Sequence, residues 1–575
     1  MIRSLGRLGP VLLVLMVVTQ APAMGAEPLR VTRPVQATAF DTVPSRQYGT
    51  PDMAIDPENP LNVVATLPEL PTKHCGLMRS TDGGVHWARL DASPSPASYP
   101  FCLMQGNSNV TQGLLAFGRH HTLYYAFTGW DTQDGDSNGS VFVARSTNYG
   151  RTWATTLVRD NRDKTNPKEY DRPVTGLAVD RRTAGSDVVT VGWRFNPVGL
   201  DAPNEAPILP MLSVSTDGGK TFGPAVNLAD GAFQQPAIRA AALKSATPAT
   251  TTTTVATAAN AEPATTTTTA PPPPPGSKAA QPDQAANFGG SNPTVTVDAK
   301  GTIYAAWVSQ SANISPAPLF AHFLSKSTDK GRTWTTTQIS PFSDTNTNGY
   351  NAFHLVWSPK GGDEGSLHLI YEGSSRPEVS NFTQVFYRRS TDGGKTWSDV
   401  KVLNDTDPAK FTYSGDPNIS VAPDGRVDAA WWDTRNDPGI AANDVYYASS
   451  SDGGVTWSKN IRVTDRLIDR KIGVYASNYD VAGPPGVAST KDYAIFGWDD
   501  TRNGDAVSNT QDIYVGMVQY RAIATGGSTL LKYIIAAVLG LLAVGAALTI
   551  AALAMRSRGG DASRREARVS ERARV

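Results

Sequence analysis

Six copies of one eight-residue pattern, Ser-x-Asp-x-Gly-x-Thr-Trp, constrain this chain more than any other feature. They read STDGGVHW (80–87), STNYGRTW (146–153), STDGGKTF (215–222), STDKGRTW (327–334), STDGGKTW (390–397) and SSDGGVTW (450–457). Their starts lie 66, 69, 112, 63 and 60 residues apart. The long interval holds a Thr/Pro/Ala-rich stretch at about 245–287, and without its 43 residues the interval becomes 69. Such a stretch has little apolar material to pack and reads as an extended, solvated insertion. A period of this kind marks a repeat architecture, to be read before any count of domains.

Each box follows a short alternating run, such as SVFVAR, QVFYRR or DVYYAS, and precedes another. The box therefore reads as a hairpin turn, in which Asp accepts bonds from nearby backbone, Gly supplies positive φ and Trp packs beside it. Two further runs precede each box, for example DPNISVAPDG and then VDAAWW. The unit is four strands, with the box between the third and fourth. A seventh unit, DVAGPPGVAS, DYAIFGWDDTRN and QDIYVGMV, lacks a box and a fourth strand. Residues 29–34, LRVTRP, match the fourth strand IRVTDR at 461–466 and would complete it. A ring closed by both chain ends leaves no exposed sheet edge.

The box resembles the Asp-box, or bacterial neuraminidase repeat, of sialidase-like β-propellers, over nearly all of residues 28–520. The resemblance implies an all-β propeller; the unit count gives seven four-stranded blades, with the six of sialidases as the alternative. The box marks the fold and not an activity, because Asp-box propellers also include sorting receptors and assembly factors.

The formal net charge is zero, but it is unevenly distributed. Residues 27–531 hold 42 Lys+Arg against 49 Asp+Glu, which argues against nucleic acid as partner. Residues 1–26 read as a signal peptide: Arg3 and Arg7, the apolar run Val11–Val18, then Ala21-Pro22-Ala23 or Ala26 for cleavage. Residues 533–555 carry no charge, and at 1.5 Å per residue they extend about 34 Å, enough to cross a bilayer. Arg556 and Arg558 open an Arg-rich tail, 556–575, that belongs on the cytoplasmic side. The expected order is signal peptide, propeller over 27–528, transmembrane helix within 529–555 and cytoplasmic tail. The body then folds in an oxidising compartment, where Cys75 and Cys102 are expected to form a disulfide, with two free thiols as the alternative.

In Asp-box propellers the boxes lie on the face opposite the ligand site. The other face then receives the second-to-third loops and the entries to the first strands. Those segments carry Asp171 and Arg172, Glu372, Asp416, Asp433 and Arg435, Asp480, and Asp500 and Arg502. Tyr, Asp and Arg around a mouth suit a polar or anionic ligand, Arg binding a carboxylate through two parallel bonds. The repeated Asp-Thr-Arg-Asn at 433–436 and 500–503 has a second reading, as pairs that fasten one loop to the next. Convergence of Arg172, Arg435 and Arg502 would indicate a carboxylated sugar; pairing with neighbouring Asp would indicate fastening. Resemblance to sialidases implies three clamp arginines, a Tyr nucleophile paired with Glu, and an Asp acid/base. The first arginine of that set stands at the first blade's entry, where this chain has Gly49.

Metal signals are weak: His120-His121 cannot alone build a tetrahedral site, and Asp134 to Asn138 opens like a calcium loop but meets Arg145 at its twelfth position. No cofactor is expected. The reading is a membrane-anchored extracytoplasmic propeller that binds a glycan or an envelope protein. Its alternatives are an exo-sialidase or related glycoside hydrolase, and an envelope assembly factor.

Overall fold

A computed structural model describes residues 29–102, 113–132, 139–160, 170–182, 185–196, 208–230, 288–311, 320–343, 353–376, 382–407, 409–410, 412–437, 439–474, 476, 483–520 and 545–550. The expected signal peptide, the Thr/Pro/Ala insertion, Asp134–Asn138, Asp480 and the tail lie outside them, as does most of the expected membrane segment. Residues 545–550 are helical. Among the described residues no helix is long and apolar enough to cross a membrane.

Seven antiparallel sheets of four or five strands form among the described residues; in six the strands follow sequence order, and the seventh takes its outer strands from near residue 30. Blade 2 is typical, with strands Leu114–Phe117, Leu123–Gly129, Ser140–Ser146 and Ala154–Arg159. Its middle strands are buried throughout or nearly so, while the fourth is half-buried to exposed. That gradient follows from radial packing: middle strands are covered on both faces by neighbouring blades, whereas outer strands face water. First strands of successive blades lie against one another around the ring, that of blade 7 meeting that of blade 1.

Seven apolar clusters fill the seven spaces between adjacent blades. The closing one joins Met53, Val63 and Ala65 of blade 1 to Ile495, Ile513 and Val515 of blade 7. Trp193, Trp307, Trp431, Trp432 and Trp498, on second strands, are fully buried and give these layers much of their volume.

The chain ends close the ring as the sequence implied. Arg30 pairs with Gln519 and Val31 with Val518, and the Thr32 amide donates to Met517 O at 2.9 Å. Past this strand, Thr38 Oγ1 donates to Asp512 Oδ1 at 2.8 Å, and Arg46 grips both Asp512 oxygens at 2.6 and 2.8 Å. Asp512 begins the third strand of blade 7 and is fully buried.

The boxes are the turns their composition requires. In the first, Asp82 Oδ1 accepts from the amides of Val85 and His86 at 3.1 and 2.9 Å. The Gly84 amide donates to Ser80 Oγ, and Trp87 Nε1 donates to Gly84 O. Gly84 has φ of 97°, a conformation a side chain resists. Boxes and first-to-second hairpins share one face: Gly83 N donates to Leu61 O, and Gly218 N to Asp187 O. The second-to-third loops and first-strand entries therefore lie on the other.

Candidate functional site

Strand direction brings Glu372, Tyr413 and Asp416 together on that second face. Glu372 ends the second strand of blade 5, Ser366–Gly373, whose core residues Leu369, Ile370 and Tyr371 are buried. Tyr413 and Asp416 flank the start of the first strand of blade 6, Ser414–Val421. The Tyr413 hydroxyl lies 3.1 Å from Glu372 Oε2 and 3.0 Å from Asp416 Oδ2. The Asp416 amide donates to Glu372 Oε2 at 3.0 Å, so the two segments are joined by backbone as well as side chain.

Local backbone makes this approach feasible. Asp416 sits at φ of 46°, a left-handed conformation that Asp tolerates better than most residues. Gly415, just before it, has no room for a side chain: a Cβ there would overlap Glu372 Oε2 and the Tyr413 phenol. Burial first, then the charges of Asp416 and Glu372, hold the Tyr413 phenol well above its usual pKa. It is therefore a protonated hydroxyl near pH 7, with one hydrogen shared between two carboxylates. At 3.1 Å, Glu372 is within reach to accept that proton.

The two Asp-Thr-Arg-Asn loops take the fastening arrangement. Arg435 donates from Nε and Nη2 to the two oxygens of Asp433 at 2.9 and 2.7 Å, and from Nη1 to Asp405 at 2.6 Å. Its guanidinium lies 3.9 Å from the centre of the Tyr446 ring. Arg502 repeats this on blade 7, with Asp500 at 2.7 Å, Asp465 at 2.8 Å and the Tyr514 ring at 4.0 Å. Trp431 Nε1 donates to Asp433 and Trp498 Nε1 to Asp500, at 3.1 and 3.0 Å. Asn436 and Asn503 each donate to a buried Asp near the start of the following third strand, Asp444 and Asp512. One hydrogen-bonded module is thus built twice. The side chains of Arg435 and Arg502 are only 17% and 7% exposed. Burial lowers their pKa values, and the bonds to Asp433 and Asp500 outweigh it, leaving both raised.

Asp171 and Arg172 lie on the first strand of blade 3, Tyr170–Asp180, but their side chains lie outside the described residues, and Asp480 is outside altogether. Cys75 and Cys102 are bonded, with Cα atoms 5.1 Å apart, at the second-face end of blade 1. His120 and His121 form a tight hairpin turn on the box face, both at positive φ, and His121 Nδ1 lies 2.6 Å from Asp56. Among the described residues no group of three or more His, Cys, Asp or Glu could hold an ion.

Two features escaped sequence reasoning. The arginine nearest Gly49, Arg46, is spent on Asp512 across the ring closure. Arg470, 3% exposed, lies against the Trp432 ring and pairs with Asp499, which also accepts from Thr50 Oγ1. Neither pairing has a local signal, since the partners lie 466 and 29 residues apart.

Residues 278–478 match the family model of the BNR repeat-like domain. No curated protein matches the chain. Among solved structures, a protein of unknown function from Dyadobacter fermentans is 13% identical, with 86% of this chain and 99% of that one covered and a TM-score of 0.42. An α-L-arabinanase of Penicillium chrysogenum complexed with arabinobiose is 14% identical, at 73% and 98% coverage and a TM-score of 0.39. A sialidase of Trypanosoma rangeli is also 14% identical, at 76% and 59% coverage and a TM-score of 0.35.

Proposed function

We infer that this chain, a sialidase-like BNR β-propeller, binds a neutral glycan outside the cytoplasm, tethered to the membrane through residues 533–555. The observation that carries this reading is the Tyr413 hydroxyl held between Glu372 and Asp416 while Arg435 and Arg502 are engaged by Asp433 and Asp500. Two carboxylates and a phenol accept and donate hydrogen bonds to sugar hydroxyls. The same pair of charges repels an anionic sugar unless free arginines offset it. By sequence position Asp171, Arg172 and Asp480 belong to first-strand entries and would extend the contact, with Asp433, Arg435, Asp500 and Arg502 framing it.

A glycan array probed with the full-length chain in detergent tests the reading. The expected result is binding to neutral glycans, weakened about tenfold by Glu372→Gln, the scale of one charge-assisted hydrogen bond. Binding to no glycan would favour the assembly-factor reading instead.

The Tyr413–Glu372 contact favours a second reading, glycoside hydrolysis with Tyr413 as nucleophile and Glu372 as its base. Turnover of neutral fluorogenic glycosides, lost in Tyr413→Phe with binding retained, would promote it.

A further inference from the structure

The sixth position of each box is exposed. On blades 2, 3, 4 and 5 it is a cation, Arg151, Lys220, Arg332 and Lys395, each exposed. None of the four has an acidic side-chain partner among the described residues. Box carboxylates form no ion pair with them, because each accepts from its own turn; Asp217, for example, accepts from the amides of Lys220 and Thr221. Three acids on the neighbouring hairpins have cations of their own: Asp180 with Arg182, Asp187 with Arg119, Glu364 with Lys300. On blades 1 and 6 the same position is an exposed valine, Val85 at 37% and Val455 at 50%.

These two blades flank blade 7, and blade 7 carries both chain ends. Its third strand, Asp512–Gln519, runs toward the box face, where the Tyr520 amide donates to Asp492 O of the first-to-second hairpin. The Arg426 guanidinium lies 3.8 Å from the centre of the Tyr520 ring, and the Tyr520 hydroxyl meets Tyr447 and Ser449. Residue 520 is thus fixed on the box face, 13 positions before the apolar segment at 533.

We propose that the box face is a membrane-docking surface for anionic lipid, with Val85 and Val455 meeting the bilayer beside the tether and Arg151, Lys220, Arg332 and Lys395 held to its headgroups. The proposal rests on the tethered reading above. The sugar-binding mouth then faces away from the membrane. An acidic body would otherwise be repelled by such a surface, and an arc of unpaired cations on one face supplies the local attraction.

The test uses the full-length chain in nanodiscs containing spin-labelled headgroups, made from phosphatidylcholine alone or with phosphatidylglycerol. Fluorophores are placed singly on Val455→Cys, or on Val507→Cys, which is 93% exposed in a loop of the opposite face. The expected result is quenching of the Val455→Cys label several-fold stronger in anionic discs, no quenching of the Val507→Cys label, and loss of the difference in about 0.5 M salt. The variant carrying Arg151→Ser, Lys220→Ser, Arg332→Ser and Lys395→Ser should lose it likewise while keeping its melting temperature. Equal quenching of both labels, or quenching indifferent to lipid charge, would overturn the docking surface alone. A chain that enters neither disc would overturn the tether and the docking surface with it.

Discussion

At the scale of single residues, the mouth depends on close approach as much as on charge. Gly415→Ala puts a methyl group where Glu372 and Tyr413 meet, so the first strand of blade 6 must move away from blade 5. A loss of about 1–3 kcal/mol in stability, the usual scale of overpacking, should accompany loss of glycan binding; calorimetry and the array read both. Arg435→Ala should act differently. It leaves the buried Asp433 carboxylate with Trp431, Ser414 and the residue 435 amide as donors but no countercharge. Destabilisation of about 3 kcal/mol is expected, at the lower end for a broken buried pair because those donors remain, with binding per folded molecule unchanged. Glu372 and Asp416 were legible as residues of the second face because both stand near strand ends there. Their junction through Tyr413 was not, since it joins residues 41 and 3 positions apart across two blades. The Asp-Thr-Arg-Asn repeat displayed both its readings in the sequence, and only side-chain geometry separates them.

Among the elements, the box is where sequence and structure agree most closely, because its bonds span four residues or fewer. It also predicts a pH dependence. The Thr333 hydroxyl, then its amide and Ser327, bring Asp329 down to about 2. Asp392 and Asp452 also fall to about 2, the bonds to Thr396 and Thr456 overcoming partial burial. A carboxylate depressed in the folded state stabilises it fully above its unfolded pKa near 4, and loses that effect as pH falls through about 2. Melting temperature should therefore drop between about pH 4 and pH 2. Blade 2 supplies the natural control: Asn148 Oδ1 accepts the Thr152 amide at 3.0 Å with no charge to titrate. Replacing Asp329, Asp392 and Asp452 by Asn should flatten the acid limb in a melting series. An unchanged slope would mean that the acid sensitivity lies elsewhere.

For the whole molecule, the seven-fold period and the fourth-strand match at the two ends made ring closure readable before any coordinates. Removing residues 29–36 opens blade 7 and exposes the outer edge of Asp512–Gln519. The entire body should lose cooperative melting, because in a ring every interface depends on the others being closed. Arg46→Ala removes the deeper grip on Asp512 and should lower the melting temperature while leaving the ring closed. The same closure bears on function, since it takes Arg46 away from the mouth where Gly49 already stands for a clamp arginine. A carboxylated sugar thus meets two arginines, Arg435 and Arg502, that are already engaged by Asp433 and Asp500. The most direct measurement is release of sialic acid from a fluorogenic sialoside by the full-length chain, beside Arg435→Ala and Arg502→Ala. The account predicts no release above the uncatalysed rate in any of the three. Robust turnover that disappears in either variant would contradict it and establish the arginines as a carboxylate clamp.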